Sequence, residues 1–130
     1  SILNHLKSLN LSASIIITSG NLNLSFYKLI EKISDDTTIY YNGDFDPEGL
    51  LIAEKLKKKR SNIIFFGYEK KNYLMTHPVK DISQKRLRKL EHVTSKEFQE
   101  IKRCMLESHK AGYQENQLKF IEEYVRDIIE

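Results

Sequence analysis

Two aspartates one residue apart stand in the segment Tyr40-Tyr41-Asn42-Gly43-Asp44-Phe45-Asp46-Pro47-Glu48-Gly49. Alternation along an extended chain points the carboxylates of Asp44 and Asp46 to the same side. Ionised together at that spacing, they repel. A hard divalent cation that prefers oxygen ligands, Mg²⁺ with Mn²⁺ as the alternative, removes the repulsion and can stabilise charge at a phosphoryl centre. The competing use of Asp46 is as a helix N-cap, which its place directly before Pro47 suits well. Glu48 reads first as a solvated first-turn acid favoured by the helix dipole, and second as a metal neighbour.

Ser19 and Gly20 follow one apolar run and precede a helical pattern. They read as a turn, or as backbone N–H groups close to a phosphate. Lys55, Lys57, Lys58, Lys59 and Arg60 form one basic run, and Lys85, Arg86, Arg88 and Lys89 form another. Both are candidates for tracking a phosphate backbone, and both could equally be solvated faces. The first run lies about 12–15 Å along its helix from Asp46, at ~1.5 Å per residue. It could guide DNA but not reach the reacting phosphate. Gln114-Glu115 opens a helix, with capping as the default role. His77, before Pro78, reads as a loop histidine. Cys104 lies among helical residues and reads as packed and inert.

The elements that must position these residues follow from periodicity. Ser1–Leu9 has helical spacing. Ala13–Thr18 is a short β-branched run, a buried strand. Ser19–Asn21 is a turn, and Leu22 to Ile33 an amphipathic helix. Thr38–Asn42 is a second strand that runs into the aspartates. Pro47 to about Lys59 is a helix and Ser61–Phe66 a third strand. Strand, helix, strand, helix, strand predicts a parallel sheet at whose carboxyl edge Asp44 and Asp46 emerge. Tyr68–Val79 reads as a polar loop and Ser83–Leu90 as a short basic helix. Thr94-Ser95-Lys96-Glu97 reads as a capping box for a helix to about Ser108. Ala111-Gly112 is a break. The last helix carries Leu118, Ile121, Val125 and Ile128 or Ile129 on its apolar face. The expectation is one α/β domain over 1–130, with an α/β core in 1–66 and a loop and helical portion in 67–130.

Composition sets the class. The chain has 130 residues, 40% hydrophobic and 30% charged, the balance of a folded soluble domain. No apolar run reaches the ~18–20 residues that span a bilayer, so no membrane partner is expected. A single cysteine and no basic-then-apolar leader suggest the cytoplasm. The lone cysteine also excludes a multi-cysteine zinc site. The net charge of +3 hides an uneven distribution. Residues 1–46 carry a net −2, residues 47–90 a net +8 and residues 91–130 a net −3. A polyanion is therefore to be sought in the middle third.

Gly43-Asp44-Phe45-Asp46-Pro47-Glu48-Gly49 resembles the D-x-D segment of a Toprim domain, the metal-binding fold of primases, topoisomerases and some nucleases. Leu50-Leu51-Ile52-Ala53-Glu54-Lys55-Leu56 extends the match. The similarity is greatest to the C-terminal Toprim domains of JetD-type nuclease subunits of Wadjet plasmid-defence systems. Ile15-Ile16-Ile17-Thr18-Ser19-Gly20-Asn21 resembles the second strand and Ser-Gly turn of that family. Tyr113-Gln114-Glu115 resembles its Tyr-Gln-Glu segment, which adds Glu115 to the site candidates. The family places a strand ending in a glutamate before the helix matched by Ser1–Leu9. That first strand is missing here and is expected upstream of Ser1, in a longer protein without which this piece is inactive.

The resemblance implies a Toprim-like fold and metal-dependent cleavage of double-stranded DNA. Asp44 and Asp46 would hold Mg²⁺ with the upstream glutamate, and SMC-like defence-complex subunits would be partners. A homodimer is a further expectation, since a missing strand leaves a sheet edge uncovered. Three other readings stand beside this one. A topoisomerase VI-type Toprim domain would require a catalytic tyrosine in a separate domain. A non-catalytic module would only dock DNA or a partner subunit. A haloacid-dehalogenase-type phosphatase does not fit Pro47-Glu48-Gly49.

Overall fold

The computed structural model describes residues 14–19, 31–32 and 37–129, with the side chains of 14–19, 115, 128 and 129 outside that description. The expected helices at Ser1–Leu9 and Leu22 to Ile33 lie outside the described residues, apart from a helical 31–32. Gly20 lies outside them as well.

Three strands form one parallel sheet in the order β1-β2-β3: β1 (Ser14–Ser19), β2 (Thr38–Gly43) and β3 (Ile63–Phe65). The register pairs Ser19 with Gly43 and Tyr41 with Phe65, so all three strands end on one edge. Side chains alternate along β2. Ile39 and Tyr41 face one core and Tyr40 packs in another. The small parallel sheet with flanking helices matches the expected α/β class.

Helix α1 (Pro47–Lys59) follows β2 directly. Pro47 suits its first turn, because the missing N–H has no partner there. Leu50, Ala53 and Leu56, three residues apart, are fully buried against the sheet. Each leucine contributes about 1.5–3 kcal/mol by leaving water. Lys57, Lys58 and Lys59 occupy the last turn, where the dipole favours cations.

The segment from Gly67 onward corrects two expectations. Tyr68–Val79 is not simply a loop, for it holds helix α2 (Lys70–Met75). Glu69 and Asn72 start that helix with a reciprocal capping box, and its Tyr73 is buried. The helix is only six residues long, too short for periodicity to show. Ala111-Gly112 is not only a break. Strand β4 (Lys80–Asp81) pairs antiparallel with β5 (Lys110–Ala111), and Gly112 pairs with Phe45. Two-residue strands carry no alternation, so nothing local announces them.

Between β4 and β5, helix α3 (Gln84–Leu87) runs into a 3₁₀ turn at Arg88–His92. A second 3₁₀ turn at Lys96–Phe98 then leads into α4 (Gln99–Ser108). The Thr94–Glu97 capping box does not form. Glu54 of α1 instead accepts the backbone N–H groups of Thr94 at 3.0 Å and Ser95 at 2.6 Å. The Thr94 N–H that the Glu97 carboxylate would accept in a capping box is thus taken by the carboxylate of a packed helix. His109, with φ of 60°, ends α4 in the left-handed region.

A 3₁₀ turn at Gln114–Gln117 opens α5 (Leu118–Ile129). Ile121 and Val125 are buried with Phe66, as expected of the apolar face, and Tyr124 stacks on Phe66 at 4.3 Å. Leu118, placed on that face from the sequence, is instead exposed. The core is shared. Tyr41, Phe45 and Leu50 from the first half pack in one cluster with Leu90, Phe98, Ile101 and Met105 from the second. The division at residue 66 is thus not a boundary between independent cores.

Candidate metal and phosphate site

The site begins with the alternation of three residues, Asp44-Phe45-Asp46. Phe45 is fully buried, with its ring 5.5 Å from that of Tyr68 and 6.2 Å from that of Tyr73. Its backbone N–H donates to Gly112 O at 2.7 Å, and its carbonyl accepts from Gly112 N–H at 2.9 Å. With Phe45 fixed inward on both counts, its two neighbours face the other way.

Each aspartate is then held by one backbone donor. Asp44 Oδ1 accepts from the N–H of Gln114 at 2.7 Å. Asp46 is the N-cap of α1, its Oδ1 accepting from the N–H of Gly49 at 2.6 Å. Gly49 is needed by the close approach. A Cβ there would lie 2.6 Å from the Asp44 carbonyl oxygen and 2.8 Å from Asp46 Oδ1. The capping role of Asp46 therefore holds, and it occupies one oxygen of the carboxylate.

A buried amide pair locks the edge beneath. Asn42, fully buried at the end of β2, donates through Nδ2 to Phe66 O at 2.8 Å. Gln114 Nε2 donates to Asn42 O at 2.9 Å. One side chain thus joins the ends of β2 and β3, and the other joins both to the C-terminal segment. Buried amides survive only when paired in this way.

The electrostatics are those of crowded carboxylates. Burial pushes the Asp46 carboxyl up, the Gly49 N–H lowers it, and the charges of Glu48 and Asp44 raise it again; it ends above the usual range. Burial also acts on Glu48, but the Arg86 hydrogen bond and the charges of Arg86 and Lys89 outweigh it and hold the carboxyl low. Arg86 donates to Glu48 Oε1 through Nε at 2.9 Å and Nη2 at 2.6 Å. The same Nη2 lies 3.9 Å from Asp46 Oδ2, and Lys89 Nζ lies 3.4 Å from Glu48 Oε2.

The expected site residues separate into groups. Asp44, Asp46 and Glu48 come together, and Arg86 and Lys89 of the second basic cluster join them. Lys85 and Arg88 are exposed on the same short helical stretch. Lys55, Lys58 and Lys59 sit in the last turns of α1, a helix length away. Lys57 folds back to donate to Ile63 O and lies over the Phe65 ring. Arg60 Nε reaches Asn62 Oδ1 at 3.4 Å. Ser19 ends β1 beside Gly43 on the aspartate edge, as the parallel order requires. Gly20 and the Glu115 side chain lie outside the described residues. His77 is exposed at a φ of 48°. Cys104 is buried, and burial raises its thiol pKa, as expected of an inert cysteine.

Asn42 and the position of Arg86 in the site were not foreseen. Asn42 ends an apolar strand with a polar residue, which is a usable signal. Arg86 looks like any member of a basic run, and no local pattern ties it to Glu48.

The residues present suit a hard divalent cation in part. Two anionic oxygen donors lie two residues apart, and the Asp46 carboxyl is raised first by burial and then by the charges of Glu48 and Asp44, which a cation would offset. Glu48 faces Arg86 and Lys89 instead. Among the described residues, no group of three or more His, Cys, Asp or Glu side chains is arranged to hold a metal. No helix among them is long and apolar enough to cross a membrane.

Fold and site together define a small α/β domain with a carboxylate pair at the carboxyl edge of its parallel sheet. The chain belongs to the family described as "Protein of unknown function C-terminus (DUF2399)", which matches residues 1–125. No curated protein and no solved structure matches it.

Proposed function

We propose that this chain is the metal-binding part of a Toprim-type DNA endonuclease, the nuclease element of a bacterial plasmid-defence system. The observation that carries the proposal is the delivery of Asp44 and Asp46, two residues apart, just beyond the end of β2, each with one oxygen already held by a backbone N–H. Resemblance over residues 40–56 supplies the fold family, the DNA substrate and the SMC-like partners.

In this reading Asp44 and Asp46 would hold Mg²⁺, together with the glutamate that the resemblance implies. The bound cation would supply a polarised water and charge stabilisation at the leaving oxygen. The chain's own contribution is positioning. Gln114 N–H and Gly49 N–H fix one oxygen of each aspartate, and buried Phe45 keeps both facing outward. Such anchoring lowers the ordering cost when the cation binds.

Titration of the chain with Mg²⁺ or Mn²⁺ tests the reading through the amide signals of residues 43–49. Localised shifts in the native chain, absent in Asp44→Asn, are expected. Their absence from the native chain refutes a metal site. A second reading, a module that only docks DNA or a partner, is favoured by one observation: Arg86 and Lys89 already neutralise part of the acidic cluster. It predicts that DNA or partner binding is indifferent to the metal.

A further inference from the structure

We propose that Arg86 is the phosphate-binding residue of this site, held ready on Glu48 and turned toward the DNA backbone beside Asp46. The inference rests on the reading of Asp44 and Asp46 as metal ligands.

Three observations converge on it. Both guanidinium donors of the Arg86–Glu48 pair, Nε and Nη2, fall on the single oxygen Oε1. This is not the two-oxygen fork that makes arginine–carboxylate pairs strong. The side chain is 33% exposed, so the pair is weak enough to open and solvent reaches the guanidinium. Second, Lys89 stands at Glu48 Oε2, so Glu48 keeps a counter-charge when Arg86 turns away. Two cations for one carboxylate is more than charge neutrality of Glu48 requires. Third, Nη2 is 3.9 Å from Asp46 Oδ2. The guanidinium therefore already stands beside a carboxylate that would hold the cation, on the side where a phosphate bound there would lie.

The charge balance points the same way. Asp44, Asp46 and Glu48 against Arg86 and Lys89 leave one negative charge, which repels a phosphodiester. A divalent cation on the aspartates makes the cluster positive by one, and a planar guanidinium then suits a phosphate's paired oxygens. Lys89, three residues on from Arg86, shares its face, whereas Lys85 and Arg88 are exposed on other sides of the same helical stretch. The Lys55–Arg60 run is at the far end of α1 and takes no part.

The test compares the native chain with Arg86→Gln, Arg86→Ala and Glu48→Gln, each checked for fold by circular dichroism. The probe is a short DNA duplex with Mg²⁺ present, titrated at several salt concentrations. Arg86→Gln should bind about tenfold more weakly, and its salt slope should fall by about one. Glu48→Gln should bind at least as tightly as the native chain. The metal-induced amide shifts of residues 43–49 should persist in Arg86→Gln. Native affinity and slope in a folded Arg86→Gln or Arg86→Ala chain would overturn the inference, and so would an equal loss in Glu48→Gln. If Arg86→Gln weakens DNA binding while no metal shift appears in the native chain, the metal reading fails and the Arg86 contact stands. If metal shifts appear and Arg86→Gln binds DNA normally, the reverse holds.

Discussion

Gln114 donates its backbone N–H to Asp44 Oδ1 at 2.7 Å, joining two residues seventy positions apart. Its side chain also holds Asn42, at the end of the strand that delivers Asp44. The C-terminal segment is therefore part of the acidic site and not an appendage to it.

Gln114→Ala keeps the N–H to Asp44 but removes the amide from Asn42. Loss of a buried hydrogen bond, with its partner left behind, should cost about 1–3 kcal/mol. Urea denaturation reads this cost. Metal affinity should fall as well, because the Asp44 anchor loosens.

Gly49→Ala tests the closeness of the turn. The added Cβ meets the Asp44 carbonyl, which is backbone and cannot step aside. A loss of about 1–3 kcal/mol is expected from forced displacement. The amide signals of residues 43–49 should shift even without metal. An unchanged melting temperature would show that the turn adapts freely.

Asp46→Asn should separate stability from function. In the metal-free protein burial first, then Glu48 and Asp44, raise the Asp46 carboxyl above 3.8. The folded state then binds more protons than the unfolded chain between 3.8 and the folded value, so stability falls as pH rises through that window. Glu48 has the opposite sign. Its carboxyl is held below 4.5, so its contribution is present above 4.5 and is lost as pH falls through the folded value. Asparagine still caps the Gly49 N–H but carries no charge. The variant should be more stable than the native chain at neutral pH, with the gain vanishing in acid below 3.8. It should bind metal poorly. A series of metal-free denaturation curves across pH checks the sign.

Gln117 is 2% exposed, and neither its amide oxygen nor its nitrogen finds a partner. Gln117→Met keeps the length and removes the unpaired polar atoms. Stabilisation of about 1–3 kcal/mol should follow in chemical denaturation. A destabilised variant would mean that the amide is paired in solution.

The legible features were those with local causes. Pro47 and the apolar residues Leu50, Leu51, Ile52, Ala53 and Leu56 marked α1 from Pro47 to about Lys59, where it ends. The β-branched run and TIYYN marked β1 and β2 to within a residue. The D-x-D pair could be placed at the strand edge because a short loop from strand to helix leaves few alternatives. Helix α2, at six residues, and β4 and β5, at two each, were missed because none is long enough to repeat its period twice. The Thr94–Glu97 box does not form because Glu54, forty residues earlier, takes the Thr94 N–H.

The sequence by itself determined the strand-then-helix frame, the position of Asp44 and Asp46 at its edge, and the basic middle third. These follow from side-chain period, proline chemistry and charge count, all read within a few residues. Only the tertiary structure decided which cations belong to the site. It brought Arg86 and Lys89 to Glu48 and left Lys55–Arg60 at the other end of α1. It also set Gln114 behind Asp44. The spacings to Glu48 and Asp44, 38 and 70 residues, are fixed by how helices and strands pack on a common core. No local preference encodes a contact at that distance, because its free energy exists only after the chain has closed the loops between.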